Sequence, residues 1–328
     1  MKGVSIIICC YNSSKRLPHT IKCISEQKLD VDWELIIVNN ASTDETFNIA
    51  TIEWEKNKQS IGYLTIINEE KIGLNYARTT GIKNAKYEYV ILCDDDNWLD
   101  ENYCNIAYKI MESDSKIGVL GGRSEAEFNT LPPHWFTSYQ REYAVGVQAL
   151  TSGDISKRGY VWGAGMVIRK SIFINLLNSG FNFLLSDRKG KALSSGGDTE
   201  ISKWFLIAGY KLWYSEDLYF KHFIPDNRLN IEYFISLTKG FENALETLYL
   251  YDYIILNKLH EEKYNKIHIN ALKTIIYLIK VILKREKRSW LLLNLHLPAI
   301  INNFLANDIY LLKSSIKKLQ KTKIKIRE

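Results

Sequence analysis

Apolar runs alternate with amphipathic stretches through the first hundred residues. Residues 5–10 form an apolar run of the kind expected for a strand buried on both faces. Residues 13–27 then place Leu17, Ile21 and Ile24 on one helical face. A second apolar run, 33–38, ends in Asn39-Asn40-Ala41-Ser42-Thr43-Asp44 and is followed by a helical stretch over about 45–57. Residues 63–68 predict a third strand, 73–83 a helix and 89–93 a fourth strand. This strand–helix alternation predicts a parallel, doubly wound sheet. In such sheets ligands bind beyond the carboxyl ends of the strands. Three polar clusters fall there: Tyr11-Asn12, Asn39 to Asp44, and Asp94 to Asp96.

The pattern loosens over residues 100–230. Short strands are predicted at 118–120 and 161–168, and Pro132-Pro133 marks a rigid turn. From 230 onward the pattern is helical almost to the end, interrupted by Pro298. The expected organisation is therefore an α/β domain over 1–230 and a helical extension over 231–328. At 328 residues, 46% hydrophobic and 24% charged, the chain has the composition of a folded protein, which argues against dominant disorder.

Charge is uneven. Residues 231–328 carry 17 Lys/Arg against 9 Asp/Glu, whereas 1–230 are near neutral. The tail is aliphatic between its charges, which fits a bilayer surface better than nucleic acid. Lys280 and the run Lys284-Arg285-Glu286-Lys287-Arg288 interrupt any span of roughly 20 apolar residues. Interfacial helices on an anionic inner leaflet are expected. Helices packed on the first domain with a solvated basic face are the alternative. The five cysteines, Cys9, Cys10, Cys23, Cys93 and Cys104, lie in the first third. They read as reduced core thiols of a cytosolic protein, with no zinc spacing. The N-terminal apolar stretch is too short for a secretory signal.

Asp94, Asp95 and Asp96 end the fourth strand, where Asp is disfavoured. Residues two apart on an extended chain share a face, so Asp94 and Asp96 can address one object. Two hard carboxylates suit a Mg²⁺ or Mn²⁺ ion that also holds phosphate oxygens. A solvated acidic turn is the other reading of the cluster.

Four blocks together resemble an inverting glycosyltransferase of family 2. They are Val4 to Asn12, Glu34 to Thr46, Gly73 to Ile82 leading into Leu92-Cys93-Asp94-Asp95-Asp96-Asn97, and Gly196-Gly197-Asp198-Thr199-Glu200-Ile201. The resemblance covers roughly 3–225. It implies the GT-A fold, a Rossmann-like mixed, mainly parallel sheet flanked by helices. It also implies a nucleotide-diphosphate sugar donor, with a UDP-sugar favoured, and a glycan or lipid-linked acceptor. Surface polysaccharide assembly on the cytoplasmic face of the inner membrane would follow.

By that resemblance Tyr11, Asn12, Asn39 and Asp44 border the nucleoside. The family usually has Asp where this chain has Asn39, which keeps a donor and an acceptor but no charge. Arg78 would face the diphosphate through its planar fork, or be a surface Arg paired with a carboxylate. Asp96 would hold the metal, with Asp94 and Asp95 at ribose or sugar hydroxyls and Asp94 sharing the ion. His222 would be a further ligand or a structural histidine. Arg228 would touch phosphate. Asp198 would be the general base that takes the acceptor proton, a role compatible with a helix N-cap. The family commonly has Glu before this Asp; here Gly197 stands there, and Glu200 is expected to supply the acceptor contact. Trp162 would pack on a hexose face or serve as a core aromatic.

Two other functions compete. A sugar nucleotidyltransferase would need a glycine-rich loop after the first strand, and Cys9-Cys10-Tyr11-Asn12-Ser13-Ser14 has no glycine. A non-catalytic scaffold with a decayed fold would fit Asn39 and Gly197, but not the retained Asp94, Asp96 and Asp198.

Overall fold

The computed structural model describes residues 1–57, 62–190 and 193–260, together with Ser314, Ile316 and Lys318. The first half is as the pattern predicts. Strands β1 (Val4–Cys10), β2 (Trp33–Asn39), β3 (Tyr63–Asn68) and β4 (Tyr89–Asp94) alternate with helices α1 (Leu17–Ser25), α2 (Thr46–Asn57) and α3 (Leu74–Asn84). The strands are parallel in the order β3-β2-β1-β4. The chain builds outward from β1 in one direction and returns to its other side with β4. That reversal opens a crevice at the carboxyl ends of β1 and β4, where Cys9 pairs with Asp94.

The apolar runs of β1, β2 and β4 are continuous because each of these strands is covered twice, whereas the edge strand β3 is at most half-buried. Ile7, Ile36, Val38, Val90 and Leu92 enter one core cluster. Ile6, Ile8, Leu35, Ile37, Ile91 and Cys93 enter the other. Alternate residues of a strand point to opposite faces, so both sets are apolar. Burying each aliphatic side chain contributes roughly 1.5–3 kcal/mol.

The second half departs from a doubly wound sheet. It comprises β5 (Asn97–Leu99), α4 (Tyr103–Ser113), β6 (Ile117–Glu127), α5 (Phe136–Tyr139), β7 (Gly153–Asp154), β8 (Met166–Arg169), α6 (Lys170–Asn178), α7 (Gly197–Ile207), β9 (Lys211–Phe223) and α8 (Ile231–His260). The sheet continues β4-β8-β6-β9-β5, with β7 paired to β9. Strand β8 is antiparallel to both β4 and β6, so the sheet is mixed. The strand expected at 161–168 is real only from Met166. Gly165 takes φ +69°, which ends extended pairing before it. Strand β6 runs well past the expected 118–120 because it follows β9 through two register shifts. Gly122 permits this: a Cβ there would overlap the Leu218 carbonyl.

Helix α8 lies against the domain, with Tyr251, Leu250 and Ile254 in the core that also holds Trp204. Ile316 packs against that same cluster. The stretches around 275–293 expected to meet a membrane lie outside the described residues. No helix among the described residues is long and apolar enough to cross a membrane.

Candidate active site

A cavity of about 950 Å³ opens at the carboxyl ends of β1 and β4. Its walls include Cys9, Tyr11, Asp94, Asp95 and Asp96 on one side and Trp162, Gly163 and Asp198 on the other. The apolar flank comes from α8, through Leu237, Leu245 and Leu248.

The three aspartates divide their partners. Asp95 turns to α1, where Arg16 holds it with two hydrogen bonds, Nε to Oδ1 at 3.0 Å and Nη2 to Oδ2 at 2.6 Å. Ser13 donates to the same carboxylate, and Thr20 donates to the Asp95 carbonyl at 2.8 Å. The Asp95 carboxylate thus ties the strand end to the first helix, rather than standing free for ribose or sugar hydroxyls as expected. Asp96 accepts from Arg228 Nη1 at 2.9 Å, and His222 Nε2 lies 3.4 Å from its Oδ1. His222 Nδ1 is buried and has no hydrogen-bond partner among the described residues. Burial would raise Asp96, but Arg228 and then His222 outweigh it and hold the carboxyl well below its usual range. Burial, and next the like charge of Asp96, push Asp94 up to about 6. Two carboxylates are thus held together in a place that penalises their second charge.

Arg78, on α3, is 4% exposed and pairs with Asp187 at 2.8 Å. Burial raises the Asp187 carboxyl, and Arg78 opposes that rise. A surface pairing for Arg78 is therefore excluded. Its guanidinium also borders Gly163, where a Cβ would meet Arg78 Nη2 at 2.9 Å and Asp198 Cβ at 3.0 Å. Glycine leaves room for the Arg78 guanidinium and the Asp198 side chain to close on the same point of this backbone segment. Gly163 N–H donates to Asp198 Oδ2 at 2.8 Å, and Thr199 N–H to Oδ1 at 2.7 Å. The helix N-cap is Gly196, at φ +108°, so Asp198 lies in the first turn rather than at the cap. A carboxylate there still meets unpaired amides and the positive end of the helix.

Gly197 has its own cause. A Cβ at this position would overlap Asn75 Oδ1 and Asp187 Oδ2. The Asp187 carboxylate occupies the space a larger residue at 197 would need. Glu200 does not supply the expected acceptor contact. It is fully buried and accepts from the Leu184 and Leu185 amides, both at 2.9 Å, and from Tyr251 at 2.6 Å. It follows Asp198 by two residues, about 200° round the helix, and that carries it to the core face of α7. Burial pushes its carboxyl up to about 7 against those hydrogen bonds.

The residues expected at the nucleoside split as well. Tyr11 lines the cavity. Asn12, at φ +51°, bridges two strand-end loops by donating to Ser42 and accepting from Thr43. Asp44 accepts from Thr46 and from the Ser14 amide, so it fixes the start of α2. Asn39 donates to Asn68 at 3.0 Å, and its Oδ1 is buried without a partner among the described residues. Asn40, which the sequence did not single out, lines the cavity and holds Gly73 N–H at 2.8 Å. Trp162 lines the cavity with Arg158 over its ring. Arg16 and Asp187 were not foreseen, because each acts through a partner distant in sequence; Arg158 was missed although Gln148, Tyr160 and Trp162 lie near it in the chain.

The profile of glycosyl transferase family 2 matches residues 5–177, more than half of the chain. The putative glycosyltransferase EpsH of Bacillus subtilis is 26% identical over 49% of this chain and 45% of its own length. The cholesterol galactosyltransferase of Borreliella burgdorferi is 31% identical over 34% of this chain and 30% of its own. The poly-beta-1,6-N-acetyl-D-glucosamine synthase of Staphylococcus aureus is 27% identical over 37% and 28%. The chain spans less than half the length of these relatives. The fold is shared with the crystal structure of S. aureus TarS 1-349 in complex with UDP-GlcNAc, at TM-score 0.57 and 13% identity, over 100% of this chain and 92% of that one. A mixed sheet with its crevice at the β1–β4 switch point, and the family profile across it, lead to one assignment: the chain belongs to glycosyl transferase family 2.

Proposed function

We propose that this chain is a metal-dependent, inverting glycosyltransferase. It moves a sugar from a nucleotide-diphosphate sugar, UDP-linked by preference, to a hydroxyl of a glycan or lipid-linked acceptor. The observation that carries this reading is the meeting of Arg78 and Asp198 across Gly163 in one cavity with Asp94 and Asp96. The donor's phosphates belong beside the arginine and the aspartate pair. The acceptor belongs beside Asp198. The crystal structure of a structural neighbour, S. aureus TarS, in complex with UDP-GlcNAc supports the choice of nucleotide.

The transfer is a single displacement. Asp198 takes the proton of the acceptor hydroxyl while that oxygen bonds to the anomeric carbon. The bond from that carbon to the phosphate oxygen breaks, and the electron pair leaves with the nucleoside diphosphate. Arg78 offers its planar fork to the departing charge. The two amides on Asp198 fix its carboxylate toward the cavity without a flexible rotor. Attack from the side opposite the diphosphate inverts the anomeric centre.

Asp94, Asp96 and His222 suit a Mn²⁺ or Mg²⁺ ion. Their crowded charge and the orphaned His222 Nδ1 fit that role. Among the described residues no group of three or more such side chains encloses an ion. Mg²⁺ needs only one or two carboxylates when phosphates complete its shell. When bound, the ion neutralises charge on the diphosphate. A peripheral position on the cytoplasmic face of the inner membrane, in surface polysaccharide assembly, completes the proposal.

Thermal melts against a panel of nucleotide sugars, with and without Mn²⁺, test this. A donor at a hundredfold its Kd stabilises by about 2.7 kcal/mol. The expected result is stabilisation by one nucleotide series, present with metal and lost in Asp96→Ala. A folded sample that no donor stabilises would overturn the reading.

A further inference from the structure

The arginines of the cavity differ in how their charge is met. Arg16 is paired with Asp95, Arg78 with Asp187 and Arg228 with Asp96. Arg188 donates to the Leu193 and Ser194 carbonyls. Lys203 is neutralised by Asp252. Arg141 is exposed to solvent. Arg158 has none of these arrangements. Its guanidinium lies 4.1 Å from the Tyr160 ring centroid and 5.0 Å from that of Trp162. Nη1 donates to the neutral Gln148 amide at 2.7 Å. Nη2 is buried and has no partner among the described residues.

The setting is built rather than incidental. Gln148 is 4% exposed and is itself fixed, donating to Gly122 O at 2.9 Å and accepting from Trp162 N–H at 2.9 Å. Arg158, Tyr160 and Trp162 all line the cavity, while Val161 between them is buried in the core. The next residue, Gly163, binds Asp198. The stacked arginine thus shares a cavity-lining segment with the residue that binds Asp198. Withdrawing a guanidinium from water without a carboxylate is unfavourable. Gln148 takes one of its edge donors, and Nη2 remains without a partner among the described residues, a donor that a planar anion would satisfy.

We propose that Arg158 receives an anionic group of the acceptor, a carboxylate or phosphate on or beside the sugar unit that accepts transfer. This rests on the reading of Asp198 as the acceptor-side base. The site would then select charged glycans over neutral ones of the same shape. A carboxylate and a phosphodiester present the same paired oxygens, so both fit the fork.

Matched acceptors test it, with the donor identified by the melt. Octyl glucuronide is compared with octyl glucoside, and a glycerol-phosphate oligomer with glycerol, by mass spectrometry of products. The expected result is a kcat/KM roughly 10- to 100-fold higher for one anionic member than for its neutral match, lying mainly in KM. Which pair shows it distinguishes carboxylate from phosphate. Arg158→Gln should bring that ratio near one while the donor still stabilises the melt, and Arg158→Lys should restore part of it. Equal use of neutral and anionic acceptors, or equal loss of both in Arg158→Gln, would overturn the proposal. If none of the four is a substrate, glucuronate and inorganic phosphate are titrated calorimetrically into donor-saturated protein. Binding that Arg158→Gln abolishes supports the proposal, and no binding of either overturns it. Loss of donor stabilisation in the unmodified chain would instead count against the transferase reading.

Discussion

Replacing Asp198 by Asn separates chemistry from structure at the candidate base. The carboxylate accepts one amide on each oxygen, Gly163 N–H at 2.8 Å and Thr199 N–H at 2.7 Å. Asn keeps one oxygen, so its amide nitrogen must face one of those two donors. One hydrogen bond is lost and a partly buried donor is left unpaired, at a cost of about 1–3 kcal/mol. A domain is stable by about 5–15 kcal/mol, so the variant stays folded. The melting midpoint should fall by roughly 2–4 °C for each kcal/mol lost. Loss of a general base is larger, on the order of 10²–10⁴ in rate. The assay is twofold: kcat for sugar transfer, and donor stabilisation in the melt. Transfer should drop at least a hundredfold while nucleotide-sugar stabilisation persists. Turnover within tenfold of the unsubstituted chain would refute the base assignment. Donor stabilisation lost together with transfer would place Asp198 in donor binding instead.

Four further outcomes follow from the geometry. Gly197→Ala should displace Asn75 and Asp187, destabilise by about 1–3 kcal/mol and weaken donor binding through the Arg78 pair; unchanged melts with and without donor would contradict this. Arg16→Ala leaves Asp95 buried without its counter-charge and should cost about 3–5 kcal/mol in chemical denaturation; a cost under 1 kcal/mol would show the pair to be dispensable. Glu200 has a folded pKa of about 7 against an ordinary 4.5, so the folded chain holds the extra proton between those values. Its stabilising contribution is fully present below about 4.5 and is lost as pH rises to about 7; Glu200→Gln should flatten that part of the stability–pH curve, and an unaltered slope would sink the assignment. Asp96→Ala should abolish the metal dependence of donor stabilisation, and an unchanged response to Mn²⁺ would remove Asp96 from the metal site.

The sequence alone determined the parallel half of the sheet. Its strands β1, β2 and β4 are buried on both faces, and double burial writes itself as unbroken apolar runs between amphipathic helices. It also located the crevice, because polar clusters interrupt those runs only where the strands end. Asp94, Asp96 and Tyr11 are legible for that reason, and Trp162 and Asp198 through the family resemblance; the structure brings all five to one cavity.

Tertiary structure decided the rest. Whether a polar residue faces the cavity or braces it depends on which distant side chain meets it. Asp95 and Asp94 are neighbours in sequence, yet Arg16, the N-cap of α1, claims the first. Glu200 is two residues from Asp198, yet the turn of α7 carries it to the opposite face and into the core, to Tyr251. Asp187 has no motif around it and is significant only because Arg78 and Gly197 lie against it. The mixed half of the sheet was hidden for a related reason: its short strands β7 and β8 and the bulged β6 are stabilised by neighbours across the sheet, not by a local pattern. Local chemistry is written along the chain. Pairing is a property of the folded contact, and the chain alone does not specify which contact forms.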